Sequence, residues 1–378
     1  MIYFDKEINM KVLHINSYYV GSNFYKNLYD KQKELGLDID VYVPVSNAID
    51  ISKLQLGDYT TISRNHNKYD RFCFHIKHNK IYKDIVNKYT ISKYSIIHAH
   101  SLFSNGYIAY KIYKKYRIPY IVAVRNTDVN TFFKKAVHLR KLGVQILRDA
   151  KKVIFISNPY KEYTINSYVP DKYREEIINK SIVLPNGIDD FWINNKINKK
   201  ESPLGNKIRI IYAGVVNSNK NIETTIKACK YLIELGYEVS YTIVGRIVEN
   251  KYYNLINKYS FINYVPHCKK EELINYYRAA DIFVMPSKHE TFGLVYAEAM
   301  SQGLPVIYTR GQGFDGQFEE GEVGYSVAYS SFLEIADRII DILNEYTKIS
   351  NRCLTNVTKF KWNDIVEEYV NIYNTLIK

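Results

Sequence analysis

Two glutamates, Glu290 and Glu298, stand with seven residues between them in the segment MPSKHETFGLVYAEAMSQGLPVIYT. An apolar run ends near Met285 and a helical pattern begins near Phe292. The spacing puts Glu290 in the loop at a helix entrance and Glu298 about two turns into the helix, leaving the amides of Thr291, Phe292, Gly293 and Leu294 unpaired. Such amides suit a diphosphate, and carboxylates beside them suit the neutral hydroxyls of a sugar and a ribose. In outline this is a nucleotide-sugar site. From spacing alone, a loop and helix carrying two solvated glutamates is an equally good reading.

The elements that must position this segment follow from hydrophobic patterning. KVLHINS, DIDVYVPV, YSIIHAH, IPYIVAVRN, KKVIFIS and SIVLPNG read as strands in the first half, and IRIIYAG, VSYTIVGR, FINYV, ADIFVMP and LPVIYT in the second. Longer amphipathic stretches alternate with them, the pattern of parallel sheet with crossover helices. The expected architecture is α/β: two doubly wound, Rossmann-like domains facing each other across a deep cleft. Residues 1–190 form the first domain, 191–207 a polar Asn/Lys-rich linker, 208–358 the second domain, and 359–378 a packing helix returning toward the first.

Composition narrows the class. Lys and Arg outnumber Asp and Glu by 52 to 39, a net charge of +13 that favours an anionic partner. Part of the lysine excess reflects the same A/T-rich coding bias as the many Tyr, Asn and Ile residues, so the sign does not choose the partner. Cys73, Cys229, Cys268 and Cys353 are scattered, which argues against a zinc site or a disulfide framework. The amino-terminal stretch MIYFDKEINMKVLHIN carries acids and lacks an apolar core, and no segment approaches the roughly 20 apolar residues of a membrane span. A cytoplasmic protein is expected.

The glutamate segment resembles the signature of the retaining family-4 glycosyltransferases, which have the GT-B fold. Further motifs occur in the family's order: LHINSYYVGSNFYKNL, IIHAHS, LPNGID and AGVVNSNKNIETTIKA. The resemblance implies a transferase that moves a sugar from a nucleotide-sugar to a hydroxyl of a glycan or lipid-linked saccharide, as in polysaccharide or capsule assembly. By position, Glu290 would contact the donor sugar, Glu298 the ribose, and Lys220 the donor diphosphate, with Thr291, Phe292, Gly293 and Leu294 supplying amides. The family commonly has arginine after the glycine of the first donor-domain strand, where Gly214 is here followed by Val215. Arg246 and Asn219 are candidates to replace that phosphate contact. In the first domain, VAVRNTDVNTFF stands where the family often carries histidine-glycine-x-aspartate, with Arg125 in the histidine's place and Asp128 retained. Arginine is no general base near neutral pH, but it clamps phosphate bidentately. His98 and His100 share one face of their strand and are candidates to line the cleft, or to be satisfied core histidines. Gly21 would open the first helix beneath the cleft.

No GxGxxG follows the first strand, which disfavours a dinucleotide dehydrogenase. No cluster of metal ligands at sequence spacing is found, and no DxD motif occurs among the likely loops, so a metal-independent reaction is expected. Residues 131–152 hold seven Lys or Arg against one Asp, with Phe132, Ala136, Leu139, Gly143 and Ile146 on one helical face. They read either as a basic interfacial helix meeting the inner membrane face or as a helix packed on the first sheet. Two other functions stay open: a nucleotide-sugar epimerase, and a non-catalytic nucleotide-sugar-binding partner of another transferase.

Overall fold

The structure is a computed structural model that describes residues 10–21, 24–50 and 56–377. The described residues form two compact units. One takes the chain up to Ile156, Lys161–Leu184 and the chain from Trp362; the other takes Ser157–Tyr160 and Pro185–Lys361.

The first unit is built on seven strands, β1 (Lys11–Ile15), β2 (Asp38–Ser46), β3 (Thr60–His66), β4 (Ile96–Ala99), β5 (Tyr120–Ala123), β6 (Lys152–Phe155) and β7 (Ser181–Val183). They are parallel, in the order β3-β2-β1-β4-β5-β6-β7. Its helices are α1 (Phe24–Glu34), α2 (Phe74–Lys88), α3 (Gly106–Tyr116) and α4 (Arg140–Asp149). Next in the chain come α5 (Asn158–Tyr168) and α6 (Asp171–Asn179).

The second unit carries α7 (Asp190–Asn194), β8 (Lys207–Ala213), α8 (Ile222–Glu234), β9 (Glu238–Val244), α9 (Lys251–Asn257) and β10 (Ile262–Val265). It continues through α10 (Lys270–Ala279), β11 (Ile282–Val284), α11 (Leu294–Met300), β12 (Val306–Thr309), β13 (Gly324–Val327), α12 (Phe332–Asn344) and α13 (Tyr346–Asn356). Its parallel sheet has the order β10-β9-β8-β11-β12-β13. Both sheets run outward from their first strand, return, and continue on its other side, which is the doubly wound, Rossmann-like arrangement.

The central strands are covered on both faces, so β5 reads as an unbroken apolar run and β4 as one interrupted by His98, and all residues of both are buried. The last helix, α14 (Trp362–Ile377), contributes Trp362, Val366 and Tyr373 to the core cluster of the first unit, with Tyr29, Val43 and Ile121. A hydrogen bond from Gln32 to the Tyr373 hydroxyl (3.3 Å) fixes it against α1. The Asn/Lys-rich stretch before β8 is tied to the second unit: Lys200 is buried and its ammonium donates to the carbonyls of Tyr277 and Arg278.

Residues 131–152 are not one helix. A wide turn over Asp128–Phe133 is followed by a tight turn over Val137–Leu139 before α4 begins, and the break falls at Ala136, whose φ −93° and ψ 65° are not helical. Leu139, Gly143 and Ile146, read from the sequence as one face of a helix that is either interfacial or packed on the first sheet, are buried within the first unit. A Cβ on Gly143 would lie 2.5 Å from the Phe103 ring, so that face is closed by protein. Among the described residues no helix is long and apolar enough to cross a membrane.

Candidate functional site

In the second unit the strand order reverses between β8 and β11, the place where open parallel sheets bind ligands beyond their carboxyl ends. The loops after these two strands carry the residues singled out from the sequence. Gly214 follows β8 directly with its N–H on the Val244 carbonyl (2.9 Å), and a Cβ on Gly245 would fall 1.8 Å from the Gly214 oxygen. The ends of β8 and β9 therefore meet backbone to backbone, which only glycine at 245 allows.

Beyond Gly214 the loop is stapled to the one after β11 by Asn219. Its Nδ2 donates to the His289 carbonyl (2.9 Å), its Oδ1 accepts from the His289 N–H (3.1 Å), and its own carbonyl accepts from Lys288 N–H (2.8 Å). Asn219 thus positions the loop rather than holding out a free amide. The staple delivers Lys220 to Glu290, Nζ to Oε2 2.5 Å, with both side chains largely buried. The second carboxylate oxygen of Glu290 accepts from the Thr291 N–H (3.1 Å). From the other side, Gln312 Oε1 accepts from the Glu290 N–H (2.9 Å) and the Gly313 N–H donates to the Glu290 carbonyl (2.8 Å). A Cβ on Gly313 would sit 1.8 Å from the Thr291 oxygen. Gln312 and Gly313 were not singled out from the sequence, because they lie some 20 residues on and touch the loop mainly through backbone geometry.

Helix α11 starts at Leu294 and not near Phe292, because Gly293 has φ +78°, a left-handed conformation outside the helix. Glu298 is consequently the fifth helical residue, little more than one turn in. Among the described residues the amides of Phe292, Gly293 and Leu294 donate to no protein acceptor. Glu298 lies near Asp189 of the LPNGID stretch and Lys270, themselves paired at 2.6 Å. Glu298 keeps a partial opening to solvent. Burial of its carboxyl first, and the Asp189 carboxylate second, push its pKa up to about 7 against the pull of Lys270. A carboxyl held above its ordinary value is penalised only when ionised, so the penalty is absent below pH 4.5 and grows as pH rises to about 7. Glu298→Gln is therefore expected to raise Tm at pH 8 and to leave it nearly unchanged at pH 4. Equal shifts at both pH values in thermal melts would contradict this environment.

Arg246 is exposed, and its guanidinium makes no hydrogen bond or ion pair among the described residues. It projects from the loop after β9, where its backbone carbonyl accepts from the Val216 N–H (2.9 Å).

The candidates in the first unit divide differently. Gly21 ends a short turn over Tyr19–Gly21. Asp128 is fully buried, with its two oxygens accepting from the amides of Leu102 (2.9 Å), Phe103 (2.9 Å) and Arg125 (2.8 Å). It therefore holds together the loops after β4 and β5 and is not open to an acceptor. Burial raises its pKa to about 6, although the three amides favour the ionised form. Arg125 rests on this clamp, with Nε 3.4 Å from the His100 carbonyl.

His100 does not line a cleft; it is fully buried and stacks on His98 with centroids 4.0 Å apart. The fold adds His14 from the neighbouring strand, with Nδ1 3.0 Å from His100 Nε2, while His98 Nδ1 meets the Tyr373 hydroxyl at 2.7 Å. One nitrogen from each of these three rings lies within 4.8 Å of the others, a cluster that sequence spacing could not reveal because β1 and β4 are far apart in the chain. Burial holds all three neutral, lowering His14 to about 3 and the other two well below their ordinary value.

Comparison with known proteins places the chain. Residues 21–190 match the family described as Glycosyltransferase Family 4, and residues 194–360 the family described as Glycosyl transferases group 1. The chain is 28% identical over 246 residues to the capsular polysaccharide biosynthesis glycosyltransferase CapM of Staphylococcus aureus, which covers 61% of this chain and 63% of that one. Among solved structures, sucrose-phosphate synthase from Thermosynechococcus elongatus superposes with a TM-score of 0.73 at 18% identity, over 97% of this chain and 99% of that one. Anabaena Alr3699/HepE, in complex with UDP-glucose, superposes with a TM-score of 0.66 at 16% identity, over 97% and 100%.

Proposed function

The chain belongs to family 4 of the glycosyltransferases and has the GT-B fold, and we propose that it transfers a sugar from a nucleotide-sugar to a hydroxyl of a glycan or lipid-linked saccharide with retention of anomeric configuration. The observation that carries this reading is the Lys220–Glu290 contact of 2.5 Å at the switch point of the second sheet. A cation and a carboxylate fixed side by side suit the two halves of the donor. Lys220 would stabilise charge growing on the departing diphosphate, and Glu290 would accept hydrogen bonds from the sugar hydroxyls. The unpartnered amides of Phe292, Gly293 and Leu294 would add donors to the diphosphate, and exposed Arg246 a further cation in place of the arginine absent at Val215. Glu298 in its ionised form would take the ribose hydroxyls.

In this mechanism the acceptor hydroxyl attacks the anomeric carbon from the face that the diphosphate leaves, through an oxocarbenium-like transition state. Lys220 stands where the leaving group needs positive charge, so the reaction is proposed to be metal-independent. Arg125, seated on the Asp128 clamp, is proposed to hold an anionic oxygen. Surface polysaccharide assembly is the proposed setting, in keeping with the likeness to a capsular transferase. The test is the anomeric proton of the product by NMR, with each common nucleotide-sugar offered alongside simple and lipid-linked acceptors. A product of the donor's own configuration is expected, and an inverted product would overturn retention.

An encounter with an anionic membrane is proposed at a different place from residues 131–152. Tyr69 and Phe72 are 77% and 75% exposed beside Lys68 and Arg71, a pairing of aromatic and basic side chains suited to a lipid interface. Cosedimentation with anionic vesicles at low salt should fall severalfold in the double variant Tyr69→Ser, Phe72→Ser. Undiminished binding would remove this patch from the account.

A further inference from the structure

The first unit has its own pocket, separate from every residue assigned above to the donor. It is a cavity of about 250 Å³ at the carboxyl ends of β1, β2 and β3, closed by α2 and the loop after β4. Ser17, Ser46, His66, Lys77, His78 and Asn105 supply its polar lining. The position is the ligand crevice of a doubly wound sheet, beside the reversal of strand order between β1 and β4. Its size suits about one monosaccharide or one phosphate-bearing group.

The chemistry of the lining is uneven. Lys77 is half-buried, and its ammonium makes no hydrogen bond or ion pair among the described residues. The nearby acid, Asp70, is already engaged by Lys80 (2.7 Å) and the Asn67 N–H (2.7 Å). Two further polar groups of the lining are buried without a partner: Nε2 of His78 and Nδ2 of Asn105. His78 Nδ1 is committed to the Phe74 carbonyl (2.6 Å), so it carries the proton and Nε2 is left as an acceptor. Asn105 Oδ1 is committed to the Ser17 N–H (3.2 Å), which leaves its amide as a donor. Groups of this kind are satisfied in most proteins, and a cavity that gathers a cation, a donor and an acceptor without partners points to a ligand supplying the complements.

We propose that this pocket binds the acceptor through an anionic group, a phosphate ester or a carboxylate beside a free hydroxyl, with Lys77 as the residue that selects it. The inference rests on the transferase reading for the word acceptor, but the site itself stands on the cavity. Lys77 supplies the charge-assisted hydrogen bonds, Asn105 a neutral donor, and His78 an acceptor for the hydroxyl. The specificity falls on saccharides that are phosphorylated or contain a uronic acid, and neutral sugars lack the partner for Lys77.

The experiment is a titration of the full chain with glucose 6-phosphate, glucuronate and glucose, followed by saturation-transfer NMR, with UDP, GDP and ADP titrated in parallel as probes of the second unit. The wild type should bind one of the charged probes about tenfold or more tightly than glucose, the worth of one charge-assisted hydrogen bond. Preference for glucose 6-phosphate identifies a phosphate ester, and preference for glucuronate a carboxylate. Lys77→Met keeps the aliphatic stem and should abolish the preference, Lys77→Arg should restore it, and nucleotide binding should be the same in all three. Charged and neutral probes binding alike to the wild type, or a preference that survives Lys77→Met, would overturn the proposal. A Lys77-dependent preference in a protein that binds no nucleotide would sink the transferase reading and leave the anion pocket standing.

Discussion

Lys220→Ala is expected to lower kcat about 100- to 1,000-fold while changing the affinity for the donor little, the signature of a group whose contact strengthens in the transition state. The loop geometry gives the reason. Asn219 makes three hydrogen bonds to Lys288 and His289, so Lys220 is delivered to Glu290 by a braced loop rather than by a mobile side chain. A braced cation costs no reorganisation as the diphosphate leaves. Removing it also strips the Glu290 carboxylate of its side-chain partner among the described residues, leaving the Thr291 amide on it. The double variant Lys220→Ala, Glu290→Ala should therefore lose less than the sum of the single losses. Steady-state kinetics with direct donor titration decides this. A kcat within threefold of wild type would remove Lys220 from the chemistry.

The second large effect is on stability. Asp128→Ala should cost about 3 kcal/mol or more, because two buried amides and one partly buried amide lose their acceptor at about 1–3 kcal/mol each and cannot all find another. In a domain of this size that corresponds to a fall in Tm of about 6–12 °C. Asp128→Asn keeps one oxygen and turns an amide donor toward an N–H, so it should fall between wild type and alanine. A Tm within 2 °C of wild type for Asp128→Ala would contradict the clamp. The prediction separates this residue from an acceptor-binding carboxylate, whose removal would spare the fold and slow the reaction.

Much of this architecture is legible in the chain because its strands are short apolar runs buried on both faces. IIHA and YIVA need no alternation to be recognised once helical stretches surround them. The two strands not read from the sequence, β3 and β13, are each at the edge of a sheet. β3 is spelled TTISRNH, only two of whose residues are buried, and β13 is the four-residue GYSV; neither carries an apolar run long enough to stand out. The 131–152 segment misleads for the opposite reason. Its apolar spacing runs on through Ala136, although the backbone there breaks the helix and turns the apolar side chains inward.

The donor loops show the same division. Lys220 and Glu290 carry their chemistry in the side chain, and motif order suggests that they meet. Gln312 acts through a side-chain oxygen on the Glu290 N–H, Gly313 through backbone approach, and Lys270 through the field at Glu298, and nothing local in the sequence marks them; Asp189 stands in the LPNGID motif, but its place beside Glu298 shows only in the fold. His14 is silent for a related reason: its link to His98 and His100 exists only once β1 pairs with β4.

The most direct test of the central claim is acceptor-dependent release of nucleoside diphosphate. UDP-, GDP- and ADP-sugars are offered to the wild type and to Glu290→Ala, with and without simple and lipid-linked saccharide acceptors. The account predicts release from one class of donor, stimulated by an acceptor and lost in Glu290→Ala. Donor conversion that needs no acceptor, or donor binding without turnover on every acceptor, would contradict it.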